Sequence, residues 1–325
     1  MNDCVLFSIL IPAYKSQFFS AAIESILMQT YKDWELVIVD DHSPEDLKNI
    51  VDSFADNRIR YYRNEKNYGA IDVVDNWNKC LSYAKGDYVI CMGDDDILPY
   101  NALETYKDLI DRYPSIKVYH GRTELIDEEG KSLALLEPRE ELESPLALIY
   151  YRWKGRYQYI GDFCYEKQSL EDNGGFYKLP LAWSSDDISA VRQASVGEGI
   201  VNSNKVLFKY RINRLSITSS GSIPIKLEAI KLEDKWYESF LNRYSVKGEN
   251  EGIYLQYLNT MREAHFLKKK LSIIVSDISA HPSRFFFWLN NRKKYGLSLK
   301  MIVYVLLMGI IDRGKEQNKN RYYKG

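Results

Sequence analysis

Cysteine is scarce in this chain of 325 residues: Cys4, Cys80, Cys91 and Cys164, with no CxxC spacing. That argues against a disulfide or zinc role, and the thiols read as reduced core residues of a cytosolic protein. The four histidines show no metal-ligand spacing and no relation to Cys or Ser, which leaves a zinc site or a His-based triad little support. The opening MNDCVLF has no basic stretch followed by an apolar one, so no secretory signal is expected and the chain should face the cytoplasm. There is no internal repeat and no low-complexity linker. One notable apolar stretch, 297–311, is 15 residues long, short of the roughly 20 needed to cross a bilayer. Net charge is only −1, and no nucleic-acid partner is expected.

What is present is ordinary globular composition, 45% hydrophobic and 27% charged, in a length that holds one large domain with an appendage or two modest ones. Aromatics are plentiful, with 26 Tyr, suiting either edge packing or contact with sugars and partners. Charge is uneven: from Arg284 onward ten Lys or Arg face two acids, so the preceding chain is near −9.

The first 120 residues alternate strand and helix signals. FSILIP (7–12), WELVIVDD (34–41), RIRYYR (58–63) and DYVICM (87–92) read as strands; 18–29, 44–55 and 71–84 read as helices. This rhythm predicts an α/β fold, a mostly parallel sheet with helices on both faces, whose ligands sit beyond the carboxyl ends of the strands. The pairs Asp40, Asp41 and Asp94, Asp95 fall at such ends. Between 116 and 210 the pattern is mixed: IKVYHG (116–121), a turn at 127–131, a helical stretch near 142–150, IGDFCYE (160–166) and KVLFKYR (205–211) predict antiparallel strands and an acceptor-side wall. Beyond 222 the chain reads as helices, with Ile225, Ala229, Leu232, Trp236 and Phe240 forming one apolar stripe.

Three consecutive acids, Asp94, Asp95 and Asp96, directly after an apolar strand call for a positive partner. Hard oxygen ligands suit Mg²⁺ or Mn²⁺, whose shell is completed by water and substrate phosphates, so a nucleotide diphosphate fits. The competing reading has one Asp capping the helix after Pro99 and the others simply solvated. IVDDHS (38–43) is likewise a helix-capping strand end or a contact to a nucleobase N–H. Tyr14 in IPAYKS (11–16) either stacks on a base or shields its loop.

With these residues in place the chain resembles glycosyltransferase family 2 over roughly 6–220. The motifs that carry the resemblance, in order, are SILIPAY (8–14), SILMQTYKDWELVIVDDHS (25–43), NYG (67–69), DNWN (75–78), AKGDYVICMGDDDILP (84–99), NGGF (173–176) and WSSDD (183–187). The resemblance implies the GT-A type of Rossmann-like fold in a catalytic domain at 1–222, with a nucleotide-sugar half to about 120 and an acceptor half from 121, followed by a helical, basic region at 223–325. It implies that Pro12, Ala13, Tyr14 and Asp41 line the nucleobase pocket, with Asn67 on the donor side, that Asp94 meets ribose or metal, and that Asp95 is the main ligand of a Mn²⁺ or Mg²⁺ ion, with Asp96 beside it. Many relatives read DxDD, which puts Gly93 where the first acid would stand. The family's Glu-Asp pair is usually followed six residues later by Arg; Arg192 lies six after Asp186, favouring Asp186 over Asp187 as general base, with Ser185 at the Glu position. Both acids also suit the start of a helix at 186–197. Arg211 and Arg214 are expected near the diphosphate, and Trp183 on the acceptor side; Asn213 stands where many relatives carry His.

The resulting expectation is inverting transfer of a sugar from a nucleotide diphosphate donor to a glycan or lipid-linked oligosaccharide in cell-surface polysaccharide biosynthesis. A sugar-nucleotide-forming nucleotidyltransferase would need a Gly-rich N-terminal loop that IPAYKSQ is not, and a non-catalytic nucleotide-sugar-binding domain is the third reading. The 297–311 stretch, flanked by Arg292, Lys293, Lys294, Arg313, Lys315 and Lys319, is read as attaching 284–325 to an anionic membrane surface on the inner face of the cell membrane, against a core helix or a homodimer contact.

Overall fold

The computed structural model describes residues 5–213 and 222–322. The chain forms two compact units, Met1–Ser220 with Val246–Leu255, and Gly221–Ser245 with Gln256–Gly325.

The first unit runs β1 (Phe7–Ala13), α1 (Phe19–Leu27), β2 (Trp34–Asp40), α2 (Leu47–Asp52), β3 (Ile59–Arg63), α3 (Val73–Tyr83), β4 (Tyr88–Cys91), α4 (Ala102–Arg112), β5 (Val118–Ile126), β6 (Ser132–Leu135), β7 (Leu142–Glu143), α5 (Pro145–Trp153), β8 (Phe163–Glu166), α6 (Lys167–Asp172), α7 (Ser185–Val196) and β9 (Ile200–Arg211). The strands form one sheet in the order β3-β2-β1-β4-β8-β5-β9-β7, with β6 beside β5. All seven residues of β2 are buried, as a parallel strand covered on both faces requires. Side-chain alternation divides the core: Phe7, Ile9, Ile11 and Ala13 of β1 pack with α1, α2 and α4, while Leu10, Val37 and Val39 are buried on the opposite face, where Cys80 of α3 meets Cys91 and the Val39 backbone.

The pairings β3-β2, β2-β1 and β1-β4 are parallel. From β4 onward the sheet is mixed rather than mostly parallel: β8 runs antiparallel to β4 and β5, and β6 and β7 are antiparallel to β5 and β9. One pairing departs from the antiparallel expectation, because β5 and β9 are parallel and bring Arg211 beside Ile126. The consequence is geometric. The carboxyl ends of β1, β2, β3, β4, β5 and β9 and the start of β8 all lie along one edge of the sheet.

The second unit is built from α8 (Ile223–Arg243), most of α9 (Glu249–Ala280), α10 (Arg284–Asn291) and α11 (Leu299–Tyr322). Its core gathers Leu227, Ile274, Val275, Ile278, Trp288, Leu297, Ile302 and Val305. The buried stripe of α8 is Leu227, Ile230, Glu233, Tyr237 and Leu241 together with Ala229, rotated from the expected one. The stripe includes a buried ion pair: Glu233 lies 2.6 Å from Lys269 of α9, so a charged residue sits where periodicity looks only for apolar ones. No described helix is long and apolar enough to cross a membrane. Cys80, Cys91 and Cys164 are buried free thiols, raised by burial; Cys4 lies outside the described residues.

Candidate active site

The loops after β1, β2 and β3 form one hydrogen-bonded cluster. Ala13 is fully buried and acts through its carbonyl, which accepts the Asp41 N–H at 2.8 Å; Pro12 is partly buried, and the Tyr14 ring is 43% exposed. Asp40, buried beneath, accepts from Ser43 N, the Tyr61 hydroxyl and Arg63 Nη1. The Asp41 carboxylate receives the main-chain N–H groups of Tyr68 and Gly69 and Asn64 Nδ2, while its carbonyl receives Asn67 Nδ2 at 2.7 Å. Asp41 therefore organises the 64–69 loop as well as facing the cluster. His42, the next residue, holds φ at 55°.

At the end of β4 the chain turns through Gly93. A Cβ there would stand 2.7 Å from Asp95 Oδ1 and 2.8 Å from Asp96 Oδ2, so the missing side chain is what lets both carboxylates fold back over this turn. Asp94 Oδ2 accepts the N–H groups of both Tyr14 and Lys15 at 2.7 Å. Burial, then repulsion from Asp95, push Asp94 up to about 6.

Asp96 is buried and accepts from Gly93 N and Arg211 N, and burial with Asp95 beside it raises its proton affinity well above the carboxylate range. Both oxygens face main-chain donors, so Asp96 holds the loop. Asp95 is the one partly exposed acid of the three, with Asn213 Nδ2 at 2.7 Å and Lys15 Nζ at 3.7 Å from Oδ2.

Arg211, the last residue of β9, reaches the same loop. It is 5% exposed, donates Nε to the Asp95 carbonyl and Nη1 to the carbonyls of Asp127 and Glu128, and lies 4.5 Å over the Phe18 ring. These bonds fasten the acid loop from behind. Arg214 lies outside the described residues.

The second acidic pair opens α7. Leu181, Ala182 and Ser184 hold φ at 62°, 50° and 60°, so three of the five residues before the pair occupy the left-handed region, costing on the order of 1 kcal/mol each. Leu181 N bonds to Ile71 O, which ties this turn to the loop before α3. Trp183 within it is partly buried. Ser185, fully buried, accepts Leu179 N through Oγ.

Asp187 is 3% exposed and its Oδ1 receives Arg152 Nε at 2.8 Å and Gln158 Nε2 at 2.7 Å. Arg152 comes from the last turn of α5, a helix begun by Ser144 capping Ala147 N with Pro145 behind it. Asp186 is partly exposed, and desolvation followed by repulsion from Asp187 push it up to about 8. Arg192 instead reaches the Gly175 carbonyl and the Tyr177 ring. Burial, then the charge of Asp186, also raise the Tyr165 phenol, and Tyr165 of β8 pairs with Val89 of β4, the strand that leads into the acid run.

Lys15, Arg152, Gln158 and Asp162 were not among the residues singled out from sequence. Asp162 is fully buried, accepts Tyr159 N and the Thr123 hydroxyl, and is pushed up to about 7 by burial. Only Lys15, next to Tyr14 in the loop after β1, had a local signal.

No three His, Cys, Asp or Glu side chains among the described residues converge on a cation position. A Mg²⁺-type ion held by one or two carboxylates, with phosphates and water completing its shell, needs no such cage, and Asp95 fits that demand.

Residues 8–171 match the family profile described as "Glycosyl transferase family 2". The UDP-Glc:alpha-D-GlcNAc-diphosphoundecaprenol beta-1,3-glucosyltransferase WfgD of Escherichia coli is 35% identical over 126 residues, covering 38% of this chain and 48% of that protein. The GalNAc(5)-diNAcBac-PP-undecaprenol beta-1,3-glucosyltransferase of Campylobacter jejuni is 37% identical over 101 residues, 30% of this chain and 32% of that protein. The matches thus span half or less of these curated relatives. Among solved structures, S. aureus TarS 1-349 in complex with UDP-GlcNAc aligns over 98% of this chain and 92% of its own, with a TM-score of 0.68 at 17% identity. At that identity the likeness speaks for the fold, which is GT-A.

Proposed function

The chain belongs to glycosyltransferase family 2, and from that premise we propose that it is an inverting enzyme moving a sugar from a nucleotide diphosphate donor to a hydroxyl of a growing, lipid-linked glycan. The observation that carries the reading is the pair of hydrogen bonds from Tyr14 N and Lys15 N to Asp94. It joins the candidate nucleobase loop to the acid run, so that one donor can reach both with its base and its diphosphate. The lipid-linked acceptor rests on the names of the two glucosyltransferases above.

Asp95 would hold a Mn²⁺ or Mg²⁺ ion together with the donor diphosphate; when bound, the ion offsets charge on the departing nucleotide. Lys15, 3.7 Å from Asp95, supplies a positive charge on the same side. Asp186 takes the acceptor proton as that oxygen bonds to the anomeric carbon, while the bond from that carbon to the diphosphate oxygen breaks on the opposite side. No covalent sugar-enzyme intermediate is formed. Desolvation, then repulsion from Asp187, push Asp186 up to about 8, near the operating pH at which a general base is most effective.

The test is a panel of nucleotide sugars with and without Mn²⁺ or Mg²⁺, using Asp95→Asn and Asp186→Asn singly. Metal-dependent release of nucleoside diphosphate, reduced about 10²–10⁴-fold in Asp186→Asn, is expected. Unchanged transfer in both variants would overturn the assignment, release of pyrophosphate from a triphosphate would indicate a nucleotidyltransferase, and binding without turnover a non-catalytic domain.

A further inference from the structure

The helix α11 is docked on one side only. Ile302 and Val305 are buried in the core of the second unit, and Gly309 lies so close to α9 that a Cβ would meet Ile278 Cγ2 at 2.9 Å. On the other side Leu299, Val303, Tyr304, Leu307, Ile310 and Ile311 are 48–61% exposed. At 3.6 residues per turn these six fall within one arc of about 140°. Lys300, also exposed, shares that arc. The apolar face is about 18 Å long at 1.5 Å per residue, well short of a hydrocarbon core of about 30 Å.

We propose that this face of α11 docks on an anionic lipid bilayer, with the helix lying in the plane of the interface. Charge decides between a membrane and a second copy of the chain. The face is bracketed by exposed Lys293 and Lys294 in the turn before the helix and by exposed Arg313 beyond it, within a segment carrying ten basic residues against two acids. Two copies joined through this face would set those basic segments against each other, whereas anionic headgroups neutralise them. Lys300 can lay its methylenes along the apolar arc and raise its ammonium to the headgroups. The inference uses no residue of the catalytic unit, so it stands or falls apart from the proposed reaction.

The test is co-sedimentation of the full chain with vesicles of phosphatidylcholine alone or mixed with phosphatidylglycerol. Circular dichroism establishes that each variant folds, and sedimentation velocity gives its oligomeric state. Binding to the anionic vesicles is expected, weakened about a hundredfold by Val303→Glu with Ile310→Glu. Lys293→Gln with Lys294→Gln should weaken it about thirtyfold. Both pairs are exposed, so folding is not at stake. Three outcomes would overturn the proposal: no binding to anionic vesicles, equal binding by the parent chain and the Glu variant, or a dimer in solution that the Glu pair converts to monomer without any vesicle binding.

Discussion

Arg152 Nε lies 2.8 Å from Asp187 Oδ1, and the residue before Asp187 is the candidate base. The pair sets how strongly Asp186 holds its proton: Asp187 raises that affinity and Arg152 lowers it. A base works deprotonated, so activity should rise with pH through the titration of Asp186. Arg152→Gln is expected to move this rising limb to higher pH and Asp187→Asn to lower pH, read from kcat/KM profiles of the three proteins.

Because Asp186 is pushed up to about 8 in the folded chain, the fold binds its proton more tightly than the unfolded chain does. Its contribution to stability is greatest below the ordinary carboxylate range and declines as pH rises to about 8. Asp186→Asn should therefore melt higher than the parent at pH 8, by about 2–4 °C for each kcal/mol relieved, while losing transfer. Calorimetric scans at pH 5 and pH 8 check the sign, and the difference should shrink at the lower pH.

Gly93→Ala forces a methyl group to within 3 Å of two carboxylate oxygens. It should cost about 1–3 kcal/mol of stability and weaken metal-dependent donor binding, because Asp95 and Asp96 must both shift. Denaturant unfolding and titration calorimetry with a nucleoside diphosphate and Mn²⁺ measure the two effects.

Arg211→Lys removes the Nε contact to the Asp95 carbonyl and the two bonds to Asp127 and Glu128. A loss of about 1–3 kcal/mol in stability is expected. A variant of unchanged stability with weakened donor binding would return Arg211 to the donor side.

Asp95→Asn should leave metal-free nucleotide binding close to that of the parent and remove the gain on adding Mn²⁺ or Mg²⁺, whereas Asp94→Ala should weaken binding with or without metal by freeing the Tyr14 and Lys15 amides. Calorimetric titration of nucleoside diphosphate with and without the ion separates the two acids.

Several features were legible in the sequence because they are local. The continuous apolar runs of β1 and β2 specify parallel buried strands, the acids after them fall at the strand ends, and the order of short motifs identifies the family. The helix expected at 186–197 from its two leading acids is α7, Ser185–Val196, and the change to helices after 222 follows from apolar periodicity. Periodicity failed on α8, where Glu233 is buried against Lys269, because a paired charge looks like a surface residue to any apolar pattern.

The acid run Asp94 to Asp96 shows most clearly what sequence leaves open. Three adjacent carboxylates are interchangeable in one dimension; in the fold Asp94 faces the β1 loop, Asp95 is partly exposed, and Asp96 is turned inward onto the Arg211 and Gly93 amides. The same holds for Asp186 and Asp187, separated in role by Arg152 and Gln158, which bond Asp187 from 35 and 29 residues away. Sequence determined which residues carry charge and which strand ends deliver them. Tertiary structure alone decided which charges are desolvated, which are paired, and hence which remain available for chemistry, because burial and hydrogen bonding depend on distance in space and not along the chain.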